Sequence, residues 1–101
     1  MEYNIIASPL ANSTYLQNID YLEMHWSEKE VINFITKVSD IIIILKLSPE
    51  TFKKWEKDKT IHKVEVLKQI TLYYQIATKD VELLLFFNNL QDPNKLNEFL
   101  Q

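Results

Sequence analysis

Two kinds of apolar spacing divide this chain. Val31, Phe34, Ile35, Val38, Ile42 and Leu45 recur three or four positions apart with one adjacent pair, the stripe of an amphipathic helix. Ser27 and Glu30 stand just before it as a capping box, with Trp26 and Val31 at the staple positions. The helix starts at about Glu28 and ends before Ser48-Pro49. Ile41, Ile43 and Ile44 widen its stripe, which predicts burial of its C-terminal half on more than one side. Upstream, Ser8-Pro9 supplies an N-cap and a proline at the first helical position. A helix follows to about Met24, with Ala11, Tyr15, Ile19, Leu22 and Trp26 on one side.

From Thr60 onward the period changes to two. Val64 and Val66 alternate within Thr60–Leu67. Ile70, Leu72, Tyr74 and Ile76 alternate with Thr71, Tyr73, Gln75 and Ala77. Val81, Leu83, Leu85 and Phe87 alternate with Glu82, Leu84, Phe86 and Asn88. Lys68-Gln69 and Thr78-Lys79-Asp80 are short turns, so these strands form an antiparallel meander. Tyr3–Ala7 reads as a first strand, and Asn94–Gln101 as one or two helical turns. Glu50–Lys59 reads as a polar connection anchored by Phe52 and Trp55. The order is β-α-α-β-β-β, an α+β single domain over residues 1–101. The helical hairpin packs on one face of a curved, mainly antiparallel sheet.

Composition removes whole classes of chemistry. The chain has 101 residues, no cysteine and no glycine, which excludes disulfides, thiolate nucleophiles and glycine-rich phosphate loops. His25 and His62 stand far apart in no ligand spacing, so no metal and no cofactor is expected. No apolar run approaches a membrane span or a signal peptide, and a cytoplasmic protein is expected.

Charge adds a local feature. Net charge is −3, and all eleven basic residues are lysines. Lys53–Lys68 holds six lysines against three acids, net +3, which leaves −6 elsewhere. This basic patch (Lys53, Lys54, Lys57 and Lys59 foremost) suits phosphate or an acidic partner.

Three phrases, in this order and spacing, carry a resemblance to the RelE/ParE toxin family. They are Trp26-Ser27-Glu28-Lys29-Glu30-Val31, Leu72-Tyr73-Tyr74-Gln75-Ile76, and Leu85-Phe86-Phe87-Asn88-Asn89-Leu90-Gln91-Asp92-Pro93 continuing into Asn94-Lys95-Leu96. The resemblance covers nearly the whole chain. It implies the toxin of a bacterial type II toxin–antitoxin module, neutralised by a cognate antitoxin. ParE-like members inhibit DNA gyrase; RelE-like members cut messenger RNA in the ribosome. Leu84 and Phe86, out of phase with the core residues of their strand, are then expected to face a partner, with the antitoxin or the C-terminal segment as their cover.

The chain departs from the family where arginine is common: Gln75 and Leu90 stand at such positions, and His62 where Ile-Arg-Lys is usual. RNA cleavage by 2′-hydroxyl attack needs a base, an acid and cations on the phosphorane. Lys63, His62 and Tyr73 are what remain, and His62, Tyr73 and Gln75 form a minimal site if they point to the open face of the sheet. The expectation is therefore a target-binding, ParE-like or diverged toxin. The alternatives are a RelE-like nuclease or an inactive relative.

Overall fold

The computed structural model describes residues 2–100. The elements are β1 (Asn4–Ala7), α1 (Pro9–His25), α2 (Glu28–Leu47), a 3₁₀ turn (Pro49–Thr51), β2 (Lys54–Trp55), β3 (Asp58–Leu67), β4 (Ile70–Ile76), β5 (Asp80–Asn88) and α3 (Pro93–Leu100). The sheet runs β1-β5-β4-β3-β2. β1 is parallel to β5, and the other pairs are antiparallel. The α+β order expected from sequence is present, with one added strand. β2 is two residues long and turns into β3 through Glu56-Lys57. Asp58 Oδ1 accepts from both the backbone N–H and the hydroxyl of Thr60, which starts β3 two residues early.

Both long helices are capped as the sequence suggests. Ser8 Oγ accepts from the Ala11 N–H at 3.0 Å, and Ser27 Oγ from the Glu30 N–H at 3.3 Å. Only half of the second box closes, because the Glu30 carboxylate accepts from Asn33 instead. The staple does not close on Trp26, which is 56% exposed and off the α1 stripe.

The sheet carries a core on each face. On the helix side, Ala11 and Leu22 of α1 and Phe34, Val38, Ile41 and Leu45 of α2 pack on Val64, Val66, Ile70, Leu72, Tyr74, Val81, Leu83 and Phe86. Tyr15, Phe34 and Phe86 form an aromatic trio with ring centroids 5.3–5.9 Å apart. On the other side, Trp55, Ile61, Tyr73, Leu85 and Phe87 pack under Leu96 of α3. The expected burial of α2 on several sides does not occur. Ile43 and Ile44 are exposed while Ile41 is buried, since sheet and α1 lie on one side of the helix.

The phase of β5 also differs from plain alternation. Tyr73 pairs Leu85 but Tyr74 pairs Leu83, so Leu84 is the extra residue of a bulge. The cause lies on the neighbouring edge. β1 ends at Ala7, paired to Leu83, and Ser8 then takes both following carbonyls: its N–H donates to Leu83 O and its Oγ to Leu84 O. Consecutive carbonyls of a regular strand point to opposite edges, so meeting both requires a bulge. Beyond it α1 replaces β1 as the edge partner. Thr14 Oγ1 accepts from the Phe86 N–H at 3.0 Å, and Asn18 Nδ2 donates to Phe86 O at 3.0 Å. Those bonds account for two buried polar residues on an otherwise apolar helix face.

Candidate functional site

The face opposite the two long helices gathers the polar candidates. Lys63 and Tyr73 are directly paired across β3 and β4, so their side chains leave the sheet together. Trp55 walls the Tyr73 ring edge-on, with centroids 5.6 Å apart at 72°. Lys63 Nζ lies 3.5 Å from Glu56 Oε2, on the β2–β3 turn. The Lys63 N–H donates to Lys53 O at 3.0 Å, which fixes the basic segment against β3. Ile61 and Gln75 form the next pair along the strands. Gln75 donates weakly to the Thr60 hydroxyl at 3.4 Å.

The electrostatics are those of a closed ion pair beside a protonated phenol. Backbone hydrogen bonding and then the Lys63 charge hold the Glu56 carboxyl below its usual range, with Lys53 adding to it. Burial and then the Glu56 charge push the Tyr73 hydroxyl up, so it is a proton donor throughout the neutral range. Glu56 itself is exposed, so the pair orients Lys63 more than it stabilises the fold.

His62 does not join this group. It shares phase with Val64 and Val66, pairs across to Tyr74, and faces the helix side. There it is 6% exposed and stacks on Tyr74, with centroids 5.2 Å apart at 19°. Its Nδ1 is buried with no hydrogen-bond partner among the described residues. Burial, then the Lys54 charge, lowers its pKa, with Glu50 opposing, so the ring is neutral at pH 7. The expected Lys63–His62–Tyr73 cluster is thus divided by the sheet into Lys63 with Tyr73 on one face and His62 on the other.

The expected partner residues divide as well. Phe86 is core, not surface, because the bulge at Leu84 turns it toward Tyr15 and Phe34. Leu84 is half-buried against the second core and lines a groove of about 340 Å³ with Leu10, Ile61, Gln75, Phe99 and others. An adjoining groove of about 430 Å³ is lined by Trp55, Lys57, Asp58, Asn97 and Leu100. Asp58 and Leu100 belong to both, so one trough runs beneath α3. Lys53 sits near Glu56 on this face, whereas Lys54 pairs His62 and charges the other side. Lys59 is exposed on β3.

Trp55 and Glu56 were not singled out from sequence as part of a site. Their signal is weak: a two-residue strand has no period, and the turn lacks glycine. The placement of His62 was legible, since position 62 is in phase with Val64 and Val66.

The chemistry available is one ammonium already tied to a carboxylate, one phenol with a raised pKa, and an amide. That set recognises hydrogen-bonding and acidic groups. Its central cation is already paired, and its carboxylate is a weakened base.

The architecture, a helical hairpin on one face of a mixed five-stranded sheet with a short helix on the other, is RelE/ParE-like. Among solved structures it is similar to a chain of the chromosomal ParDE TA (toxin–antitoxin) system from P. aeruginosa, with a TM-score of 0.69 and 6% identity over 85% of this chain and 95% of that one. It is also similar to the YoeB dimer from Staphylococcus aureus (TM-score 0.60, 13% identity, 86% and 97% covered). The YoeB–YefM complex of the same organism gives 0.56, 12%, and 86% and 97%. No protein-family model matches the chain, and no curated protein does. The likeness is therefore one of fold. No described helix is long and apolar enough to cross a membrane.

Proposed function

We propose that the chain is the toxin of a type II toxin–antitoxin module, which arrests growth in the cytoplasm by binding an essential target of the ParE kind, DNA gyrase or a diverged equivalent, and is neutralised by a cognate antitoxin. The carrying observation is the open face itself. It keeps a RelE/ParE-like frame but holds its central lysine, Lys63, closed on Glu56, with Lys53 and Lys57 only at the rim, where phosphoryl chemistry needs free cations at the reacting group. The coverage of both a ParDE chain and a YoeB–YefM chain supports an antitoxin as partner. Lys63, Tyr73, Leu84, Lys53 and Lys57 are the residues assigned to contact with target or antitoxin.

A RelE-like, ribosome-dependent nuclease is the second reading, favoured by one observation: Lys63 and Tyr73 are paired on the same open face. Inducing the gene alone in a bacterial host and following thymidine and amino-acid incorporation separates the two. The proposal expects thymidine incorporation to fall first. An earlier fall in protein synthesis, with messenger RNA cuts abolished by Lys63→Ala, establishes the nuclease instead. Undisturbed growth marks an inactive relative.

A further inference from the structure

β5 runs past the end of β1, and α1 takes over its edge. Between α1, the last residues of β5 and α3 lies a pocket of about 110 Å³. Two of the amides that line it are buried: Asn18 is 4% exposed and Asn88 8%. The fold holds one end of each. Asn18 Nδ2 donates to Thr14 O at 2.8 Å and to Phe86 O at 3.0 Å, which leaves Oδ1 over. Asn88 Oδ1 accepts from the Leu90 N–H at 3.0 Å, which leaves Nδ2 over. Neither amide can flip, because that would set oxygen against carbonyls at Asn18 and an NH₂ against an N–H at Asn88. Neither leftover atom has a hydrogen-bond partner among the described residues. Among those residues only His62 Nδ1 is sealed in the protein without a partner, so these two atoms open onto the pocket. Buried amides normally satisfy both ends.

We propose that this pocket binds a small uncharged ligand through a planar amide edge, an N–H donor beside a C=O acceptor, as a primary carboxamide or a uracil-type base presents. The leftover acceptor and donor are the complement of such an edge. Among the described residues no charged side chain lines the pocket. A phosphate, carboxylate or ammonium would therefore lose water there without a counter-charge. The Thr14 hydroxyl is occupied, since it donates to Leu10 O and accepts from the Phe86 N–H. Gln17 and Gln91, exposed at the rim, each offer a donor and an acceptor that can turn to suit the ligand. Tyr21 and Phe99 add aromatic surface for a flat group. The volume corresponds to about four waters, room for a carboxamide with its carbons or for most of a single ring. Lys63, Tyr73 and Glu56 do not line it, so its occupancy is independent of what the open face binds.

Titration of the nitrogen-labelled full chain with propionamide, uridine and propionate, followed by proton–nitrogen correlation spectra, tests this. Propionamide or uridine should shift the side-chain signals of Asn18 and Asn88 and the Leu90 backbone signal to saturation. Propionate, of nearly the same shape but charged, should not. Saturation by uridine marks a base as the ligand, and saturation by propionamide alone a carboxamide. Asn88→Asp keeps the oxygen that accepts from Leu90 and replaces the free donor by a second oxygen. Its affinity for the amide ligand should fall roughly tenfold or more. Should that variant fail to fold, Gln17→Ala combined with Gln91→Ala, both at the exposed rim, should weaken binding roughly three- to tenfold. No saturable shift with either amide ligand, or an equal shift with propionate, overturns the proposal and leaves a pocket for water only. So does an Asn88→Asp protein that binds as tightly as the wild type.

Discussion

The two faces of the sheet are built from neighbouring residues with opposite fates. His62 and Tyr74 point to the long helices; Lys63 and Tyr73 point away from them. On the helix face the polar groups are enclosed. The Tyr74 hydroxyl donates to Pro49 O at 2.6 Å, and His62 is neutral under the Pro49–Trp55 segment. On the other face Tyr73 is buried in the second core, while the lysine reaches toward solvent and is answered by an exposed carboxylate. Both faces carry a core, but only the second adds a charged rim, Lys63 with Glu56, that is open to a partner. A substitution should therefore move stability on the first face and activity on the second.

The sharpest separation is expected at the β5 bulge, where consecutive apolar residues part company. Phe86→Ala removes a ring packed between Tyr15 and Phe34 and should cost about 3–5 kcal/mol of stability. Leu84→Ala, at the half-buried bulge, should cost about 1 kcal/mol, the lost burial of part of one side chain. Urea unfolding of both variants checks the pair. Equal costs would mean that the bulge does not divide the faces as described.

That bulge also marks where sequence stops being legible. The helices could be read because α1 and α2 carry capping serines and a stripe of period 3.6. The meander could be read because β3 and β4 alternate cleanly. In β5 the run Leu83–Phe87 is apolar at every position, so parity leaves two phases equally good. The choice is made by Ser8, Thr14 and Asn18, some seventy residues upstream, through their bonds to Leu83, Leu84 and Phe86. No local rule contains that information. β2 escaped for a different reason: two residues show no alternation, and the turn at Glu56-Lys57 has no Asn-Gly or Asp-Gly. The face of Lys63 and Tyr73 followed from alternation. The ion pair with Glu56 and the wall of Trp55 did not.

His62 gives the intermediate effect, through pH. Its folded pKa lies below the usual value near 6.5, because burial and Lys54 disfavour the imidazolium. Above that value the ring is neutral in both states and its full contribution is present. As pH falls below 6.5 the unfolded chain takes up a proton that the folded chain resists, so stability falls. The slope from this one group is at most about 1.4 kcal/mol per pH unit. Glu50 opposes the shift and Tyr74 stacks on the ring without titrating in this range, so neither reverses the sign. His62→Phe keeps the stacking and removes the proton site. Melting curves at pH 7.5 and pH 5.5 should show a smaller loss for the variant than for the wild type (both pH values chosen to bracket the unperturbed pKa of about 6.5). An equal loss would assign the acid sensitivity to carboxylates instead. Growth arrest should be unaffected at neutral pH if His62 belongs to the fold and not to the site.

The smallest effect on stability is expected at Lys63, and that is its value. Its ammonium sits 3.5 Å from an exposed carboxylate, a geometry that contributes little to folding in water. Lys63→Ala should shift the melting temperature by less than about 2 °C, with the Tyr73–Trp55 wall still in place. Removing the lysine also leaves the Glu56 charge beside Tyr73 answered only by the weaker influence of Lys53, so the variant presents a more negative surface than the wild type. If the open face binds target or antitoxin, affinity should fall while the fold is untouched. Lys63→Arg should recover most of it, because charge is what the position supplies. Lys63→Ala and Lys63→Arg therefore separate a recognition charge from an acid or base. A binder tolerates arginine, whereas a proton-transferring lysine cannot be replaced by a guanidinium that holds its proton at every accessible pH. A large loss of stability in Lys63→Ala would erase the contrast between the two faces.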